Sequence, residues 1–255
     1  MTPTFIVTSA INTPVGTYSH YQRIFQTAGT IESIRKHYQD ALILLVEGGQ
    51  PFDETDPLWE KIKSTVNIYV NMQGNAQIKH LQDTFFNKSQ NKFEMGGTVG
   101  LTKTAAELTL MTAVIGSIQT NADLKDVLTT DRIFKISGRY QLSPMFDPSI
   151  YESDLVKNKY VFKERDASWM DAESQKIVGT NFGYASRLWN FDTKLIDDCA
   201  QRFETMFEDC MEITQSHYVD IEHLLYKHIG PEVSIEIDHT HLYGNIGPNG
   251  ALVYD

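Results

Sequence analysis

Two cysteines and eight prolines are few for a chain of 255 residues, and no apolar run is longer than the six residues ALILLV at 41–46. Each scarcity removes a class of protein. Cys199 and Cys210 have no CxxC partner and no Cys/His ladder around them, so a structural zinc site is not expected. They share a segment of helical apolar spacing, which sets them about 16 Å apart along an axis that rises roughly 1.5 Å per residue. A disulfide needs Cα atoms about 4.4 to 6.8 Å apart. The two thiols are therefore expected to be unpaired, as in a reducing compartment. The run at 41–46 falls far short of the roughly 20 residues of a membrane span, and residues 1–10 lack the basic and apolar regions of a leader peptide. The expectation is a cytoplasmic chain with no membrane partner.

Positive charge is also short. Lys and Arg number 22 against 33 Asp and Glu, a net charge of −11, which works against broad attraction to nucleic acid or anionic lipid. Neither GxGxxG nor GxxxxGK[ST] occurs, so the usual dinucleotide and P-loop readings lose their support. Repeats and low-complexity tracts are absent as well.

What remains is a globular α/β pattern, 41 % hydrophobic and long enough for one large domain. Strand 4–10, helix 21–38 and strand 41–46 read as a βαβ unit, the last strand being apolar throughout, as in a parallel sheet buried on both faces. A third strand is expected at 66–70, a short helix at 74–86, a loop at 87–100, and a helix at 103–118 with apolar residues on most of its surface. Strand character returns at 132–142, 160–162 and 177–178. Helices follow at 193–214 and 218–229, then a strand at 233–237 and a glycine-rich tail. The fold class expected is α/β, a mainly parallel Rossmann-like sheet flanked by helices in a single domain.

In such a sheet ligands bind at the carboxyl edge. Thr8, Ser9, Ala10 and Asn12 after the first strand, and Glu47 after the second, stand there as candidate nucleotide contacts or as turn and cap residues. Lys135, Ser137 and Arg139 alternate along one strand, and two cations on one face are costly to bury without an anion. A diphosphate suits them, with Gly138 permitting close approach; a salt-bridged surface strand is the alternative. Asp220 and Glu222 open a helix, either as dipole-favoured acids or as a general base. Five of the eight histidines are His217, His223, His228, His239 and His241, for which solvent-facing or capping roles rank ahead of a metal site. Tyr184, Trp189, Phe191 and Trp169 suit stacking but rank first as core, and the basic stretch 157–165 reads as a solvated loop or a phosphate contact.

The first strand and helix, the run TIESIRKHYQDALILLVEG, the buried helix and FKISGRY together resemble GT-A glycosyltransferases of phages and bacteria that carry a K-[IL]-S-G-R-Y motif. The closing LYGNIGPNG is similar to their G-W-I-x-P-x-G endings, with Asn245 where an aromatic is more usual. The resemblance implies a GT-A-like fold in which residues 1–130 bind a nucleotide sugar, first of all a UDP-sugar, and 131–255 complete the site and receive a hydroxyl acceptor. That acceptor is a hydroxymethylated DNA base, a glycan or a small molecule. Arg139, Asp220 and Glu222 are the catalytic candidates it implies, and Thr8, Ser9, Ala10, Asn12, Glu47, Lys135, Ser137, Gly138 and Arg139 the donor contacts. GT-A enzymes commonly hold a divalent cation on a DxD motif; Asp53-Glu54-Thr55-Asp56, Asp197-Asp198 and Glu236-Ile237-Asp238 are only approximations to it. No metal ligand is assigned and metal dependence stays undecided, since Lys135 and Arg139 can neutralise a leaving diphosphate themselves. A non-catalytic nucleotide or glycan binder and a nucleotide-sugar hydrolase are the alternative functions.

Overall fold

The computed structural model describes residues 1–13, 17–76, 78–80, 97–246 and 250–255, with backbone alone at 97–102. In chain order the elements are β1 (Pro3–Ser9), α1 (His20–His37), β2 (Leu42–Glu47), α2 (Pro57–Lys63), β3 (Ile68–Asn71) and α3 (Gly97–Thr120). There follow β4 (Arg132–Ser137), β5 (Tyr140–Leu142), β6 (Tyr160–Lys163), β7 (Asp166–Ala167), α4 (Ala172–Val178), β8 (Phe182–Gly183) and β9 (Leu188–Asp192). The last are α5 (Ile196–Ile213), α6 (Ile221–His228), β10 (Ser234–Ile237), β11 (Leu242–Asn245) and β12 (Leu252–Tyr254).

A seven-stranded sheet runs β10-β6-β9-β4-β1-β2-β3, parallel throughout except for β9, which is antiparallel to both neighbours. Strand alternation divides the core in two. Phe5, Val7, Ile43, Leu45, Phe134 and Ile136 face α1 and α2, packing on Ile24, Ile31, Ile34 and Trp59. Ile6, Leu44, Val46 and Ile133 face the other way, against Leu108, Met111 and Ile115 of α3 and Phe203 and Met206 of α5. β1 and β2 bury both faces, which is why Phe5–Val7 and Leu42–Val46 are apolar without alternation. α1 begins at a capping box, Ser19 accepting from the Gln22 N–H while the Gln22 side chain accepts from the Ser19 N–H.

Several expectations are corrected. The strand read at 132–142 is two strands: the Gly138 N–H makes the last bond of the β1–β4 ladder, to the Thr8 carbonyl at 2.8 Å, and the Arg139 N–H then turns back to the Ser137 carbonyl at 2.7 Å. β5 then joins β11 and β12 in a separate antiparallel sheet, so the glycine-rich tail contains two strands. The strand read at 177–178 is the end of α4, capped by the Asp171 side chain at its start and stopped at Gly179, whose φ of 86° is left-handed. The long helix begins at Gly97, within the span read as loop. β9 is an additional strand that the sequence reading lacks, because LWNFD is short and follows no turn signal. The helix read at 74–86 and the loop at 87–96 fall mostly outside the described residues.

Among the described residues no helix is long and apolar enough to cross a membrane. Both cysteines are free and buried on α5. Burial pushes the Cys210 thiol up to about 12 and that of Cys199 higher still. Neither thiol is expected to react with an aromatic disulfide reagent at pH 8 until denaturant is added; rapid release of one equivalent from the native protein contradicts this packing.

Candidate functional site

The carboxyl ends of β1 and β2 are held together by one carboxylate. Glu47 has no exposure, and its oxygens accept from the Ser9 hydroxyl at 2.5 Å, the Ile11 N–H at 3.0 Å and the Gly49 N–H at 2.8 Å. Burial raises its carboxyl above the ordinary range, and these three donors partly offset that. Glu47 thus organises the two loops and has its acceptors occupied, where the sequence had suggested a ribose or base contact. Asn12 ties the same loops, its amide donating to the Pro51 carbonyl at 2.9 Å and its own carbonyl accepting from Gln50 at 2.6 Å. Thr8, Ser9, Ala10 and Asn12 line a cleft of about 110 Å³ over this edge.

Lys135 stands in β4 with no exposure. An ammonium has three donors, and all three are matched: the carboxylate of Glu107 on α3, the Ser137 hydroxyl at 2.9 Å and the Ser186 carbonyl at 2.7 Å. Lys135 is therefore a cross-brace under the site, and Ser137 supports it. Gly138 does permit a close approach, but of protein to protein: a Cβ there would lie 3.1 Å from Thr27 Oγ1 and 3.3 Å from the Thr8 carbonyl. Arg139 stands on the turn after β4 and lines the two clefts.

The Arg139 guanidinium lies over the Tyr140 ring, 5.7 Å from its centroid, and its buried Nε has no hydrogen-bond partner among the described residues. It lines both the β1/β2 cleft and a larger one of about 370 Å³ bounded by Trp169, Arg187, Asp220 and Glu222. Arg187 lies 5.9 Å from the same Tyr140 centroid, and Lys103 lines both clefts. Among the described residues none of Arg139, Arg187 and Lys103 makes an ion pair within 4.0 Å. Burial and then the charge of Arg139 hold the Lys103 amine below its usual range, and bring Arg23 of α1 down to about 10. Crowded like charges facing a cleft fit a polyanion.

On the far wall Asp220 caps α6. Its Oδ1 accepts from the His223 N–H at 3.0 Å and from the His223 ring Nδ1 at 2.5 Å. His223 is only 2 % exposed, and its Nε2 meets Ser168 Oγ at 2.7 Å. The solvent-facing role expected of this histidine is thus corrected, as is that of His228, which bonds Asp209 at 2.8 Å. Glu222 accepts from the Ser186 hydroxyl at 2.7 Å, and burial, then the neighbouring Asp220, raise its carboxyl above the ordinary range. Lys103, Glu107, Arg187, Ser186, Ser168 and His223 are members of the site that sequence reasoning does not assign to it. Two signals were present: Lys103 and Glu107 are spaced i, i+4 on one helix face, and Asp220 with His223 has cap-to-third-residue spacing.

Among the described residues no three His, Cys, Asp or Glu side chains converge. The DxD approximations are occupied otherwise: Asp53 by Thr55, Asp198 by Tyr160 and Arg202, Glu236 by Tyr184. The basic stretch is also internally matched, Lys157 by Asp154, Lys159 by the Glu232 carbonyl, Lys163 by Asp255 and Arg165 by Tyr226. Tyr184, Trp189 and Phe191 are core, whereas Trp169 is 68 % exposed at the cleft rim.

No protein-family model and no curated protein matches the chain. Solved structures do. Core-mannan synthase A (CmsA/Ktr4) of Aspergillus fumigatus, in an Mn/GDP form, superposes with a TM-score of 0.54 at 8 % identity, covering 90 % of this chain and 70 % of that one. The mannosyltransferase Ktr4p of S. cerevisiae gives 0.55 at 7 % identity, covering 89 % and 65 %. Both are GT-A glycosyltransferases, and the architecture of this chain is the same GT-A, Rossmann-like one in a single domain. At such identities the likeness is one of fold.

The buried charges make two effects on stability measurable. Lys135→Ala strands the Glu107 carboxylate and is expected to cost roughly 3–5 kcal/mol, the range for breaking a buried pair, with the Lys135→Met/Glu107→Gln double variant recovering much of it; denaturant titration of the three proteins checks this. Glu222 has a folded-state pKa raised above its unfolded value, so its ionised form works against folding and stability falls as pH rises from the unfolded to the folded pKa. Glu222→Gln is therefore expected to melt higher than the parent at pH 8, with the gain shrinking toward pH 4; equal melting curves at both pH values contradict it.

Proposed function

We propose that the chain is a nucleotide-sugar-dependent glycosyltransferase that moves a sugar to a hydroxyl acceptor. The carrying observation is Arg139: a guanidinium without a carboxylate partner among the described residues, flanked by Lys103 and Arg187, at the junction of two clefts on the carboxyl edge of the sheet. A nucleotide over the β1 and β2 loops places its diphosphate at that junction and its sugar in the larger cleft. Breaking the bond from the anomeric carbon to the diphosphate oxygen leaves negative charge on the phosphate, and fixed cations stabilise it without rearranging. In the GT-A enzymes that the sequence resembles, a divalent cation commonly does this. Here Lys103, Arg139 and Arg187, beside a Glu107 carboxylate already engaged by Lys135, take that part.

Asp220 and Glu222 remain the carboxylates of the acceptor wall, Asp220 engaged with His223 and Glu222 with Ser186. The acceptor is read as a glycan or small-molecule hydroxyl in preference to a DNA base, because each cation of the basic stretch 157–165 has a partner within the protein and the net charge is −11. A uridine-diphosphate sugar is the first donor to test.

Arg139→Ala is expected to weaken UDP or GDP binding about ten- to hundredfold, the loss of one charge-assisted hydrogen bond of roughly 1.5–3 kcal/mol, while its melting temperature holds. Calorimetry with and without EDTA measures it, and unchanged affinity in the folded variant removes the phosphate assignment. A screen of UDP- and GDP-hexoses with detection of free nucleotide completes the test. Release only with an acceptor supports transfer, release without one indicates a hydrolase, and binding without release indicates a non-catalytic binder.

A further inference from the structure

Ser168, His223 and Asp220 form a hydrogen-bonded chain on the wall of the larger cleft. Because the Asp220 carboxylate accepts from His223 Nδ1 at 2.5 Å, that nitrogen carries the ring proton and Nε2 is left as an acceptor. Nε2 lies 2.7 Å from Ser168 Oγ, so the serine hydroxyl donates to the ring. The same oxygen accepts the Met170 N–H at 3.1 Å, which leaves one lone pair for an incoming donor. His223 is 2 % exposed, and a substrate in the cleft meets Ser168 first. Capping α6 requires only the Asp220 side chain and the His223 backbone N–H. The bond from the ring to a serine on another segment is additional to that need.

The neighbouring residue indicates where an acceptor would lie. Trp169 is 68 % exposed at the rim, its ring 5.6 Å from that of Tyr218 and 6.3 Å from that of His223. An indole face of this kind suits the C–H-rich face of a sugar ring, and it adjoins the serine in sequence. Among the described residues Asp166, Tyr218 and Glu222 also line this cleft, together with Lys103, Glu107, Arg139 and Arg187.

We propose that Ser168, His223 and Asp220 are a proton relay that deprotonates the acceptor hydroxyl, an inference that rests on the glycosyl-transfer reading above. The acceptor O–H donates to Ser168 Oγ. As the acceptor oxygen bonds to the anomeric carbon, the bond from that carbon to the diphosphate breaks and its electron pair leaves on the phosphate oxygen. The acceptor's proton passes to Ser168 Oγ while the serine's own proton passes to His223 Nε2. The resulting imidazolium is stabilised by Asp220 and returns its proton to solvent. Ser168 is the group that touches substrate; His223 and Asp220 act through it.

The test compares Ser168→Ala, Ser168→Thr and His223→Asn in the full chain, with UDP- and GDP-hexoses as donors and methyl glycosides as acceptors. The amide introduced by His223→Asn keeps a donor toward Asp220 and lacks the distal acceptor that the ring offers Ser168. Expected are a fall in kcat of about 10² to 10⁴ in Ser168→Ala and His223→Asn, with UDP or GDP affinity and donor KM unchanged, and recovery of most of kcat in Ser168→Thr. Parent-level kcat in a folded Ser168→Ala protein overturns the relay and leaves glycosyl transfer standing. Equal losses in Ser168→Ala and Ser168→Thr, or a fall in nucleotide affinity that matches the fall in kcat, also overturn it. If His223→Asn does not fold, the two serine variants decide. Absence of transfer in the parent protein with every donor overturns the transfer reading, and the relay with it.

Discussion

A lysine with no exposure in the central strand of a sheet is costly unless each of its three donors finds an acceptor, and this requirement arranges much of the site. Lys135 draws α3 onto β4 through Glu107 and draws the segment before β9 inward through the Ser186 carbonyl. Ser186 then uses its hydroxyl on Glu222 of α6. A single ammonium thus connects the helix beneath the clefts with the helix that forms their far wall. Its charge is consumed in doing so. Arg139, four residues on, is placed to act on a ligand because the chain turns at Gly138 and leaves the sheet.

The surplus of acidic residues and the cationic junction are compatible because the two operate over different distances. At physiological ionic strength the field of an exposed charge decays over about 8 Å, so a net charge of −11 spread over the surface says little about a cleft. Inside it, Arg139 lies close enough to Lys103 and Arg23 to lower their affinity for protons, adding to the effect of burial. Such crowding opposes folding in the empty protein and favours a bound anion.

The parallel architecture was legible because it is carried by local pattern: an apolar run such as 41–46 can only be a strand buried on both faces or a buried helix, and its length favours the strand. The carboxyl edge was legible for the same reason, since it follows from strand direction. What sequence could not convey is where side chains end. Alternation put Lys135 and Arg139 on one strand face, yet the chain turns after Gly138, where the Arg139 N–H bonds back to the Ser137 carbonyl and β5 leaves for another sheet. Glu47 and Glu222 are both acids beside the site, and only tertiary contacts reveal that one is buried and clasps two loops while the other is half-buried and faces the cleft. β9 escapes a sequence reading because a five-residue strand held by its neighbours needs no turn signal of its own.

Asp220 illustrates why a structural role and a functional one need not compete. As the cap of α6 it must present a carboxylate oxygen to the backbone N–H of His223, and this fixes the oxygen within reach of the ring on the same residue. Capping therefore sets the tautomer of His223, and the tautomer sets the direction in which Ser168 donates. The helix-opening role inferred for this aspartate is the first step in the arrangement of the cleft wall. The cap at the start of α6 thus holds Asp220, His223 and Ser168 on one wall of the cleft that Arg139 also lines.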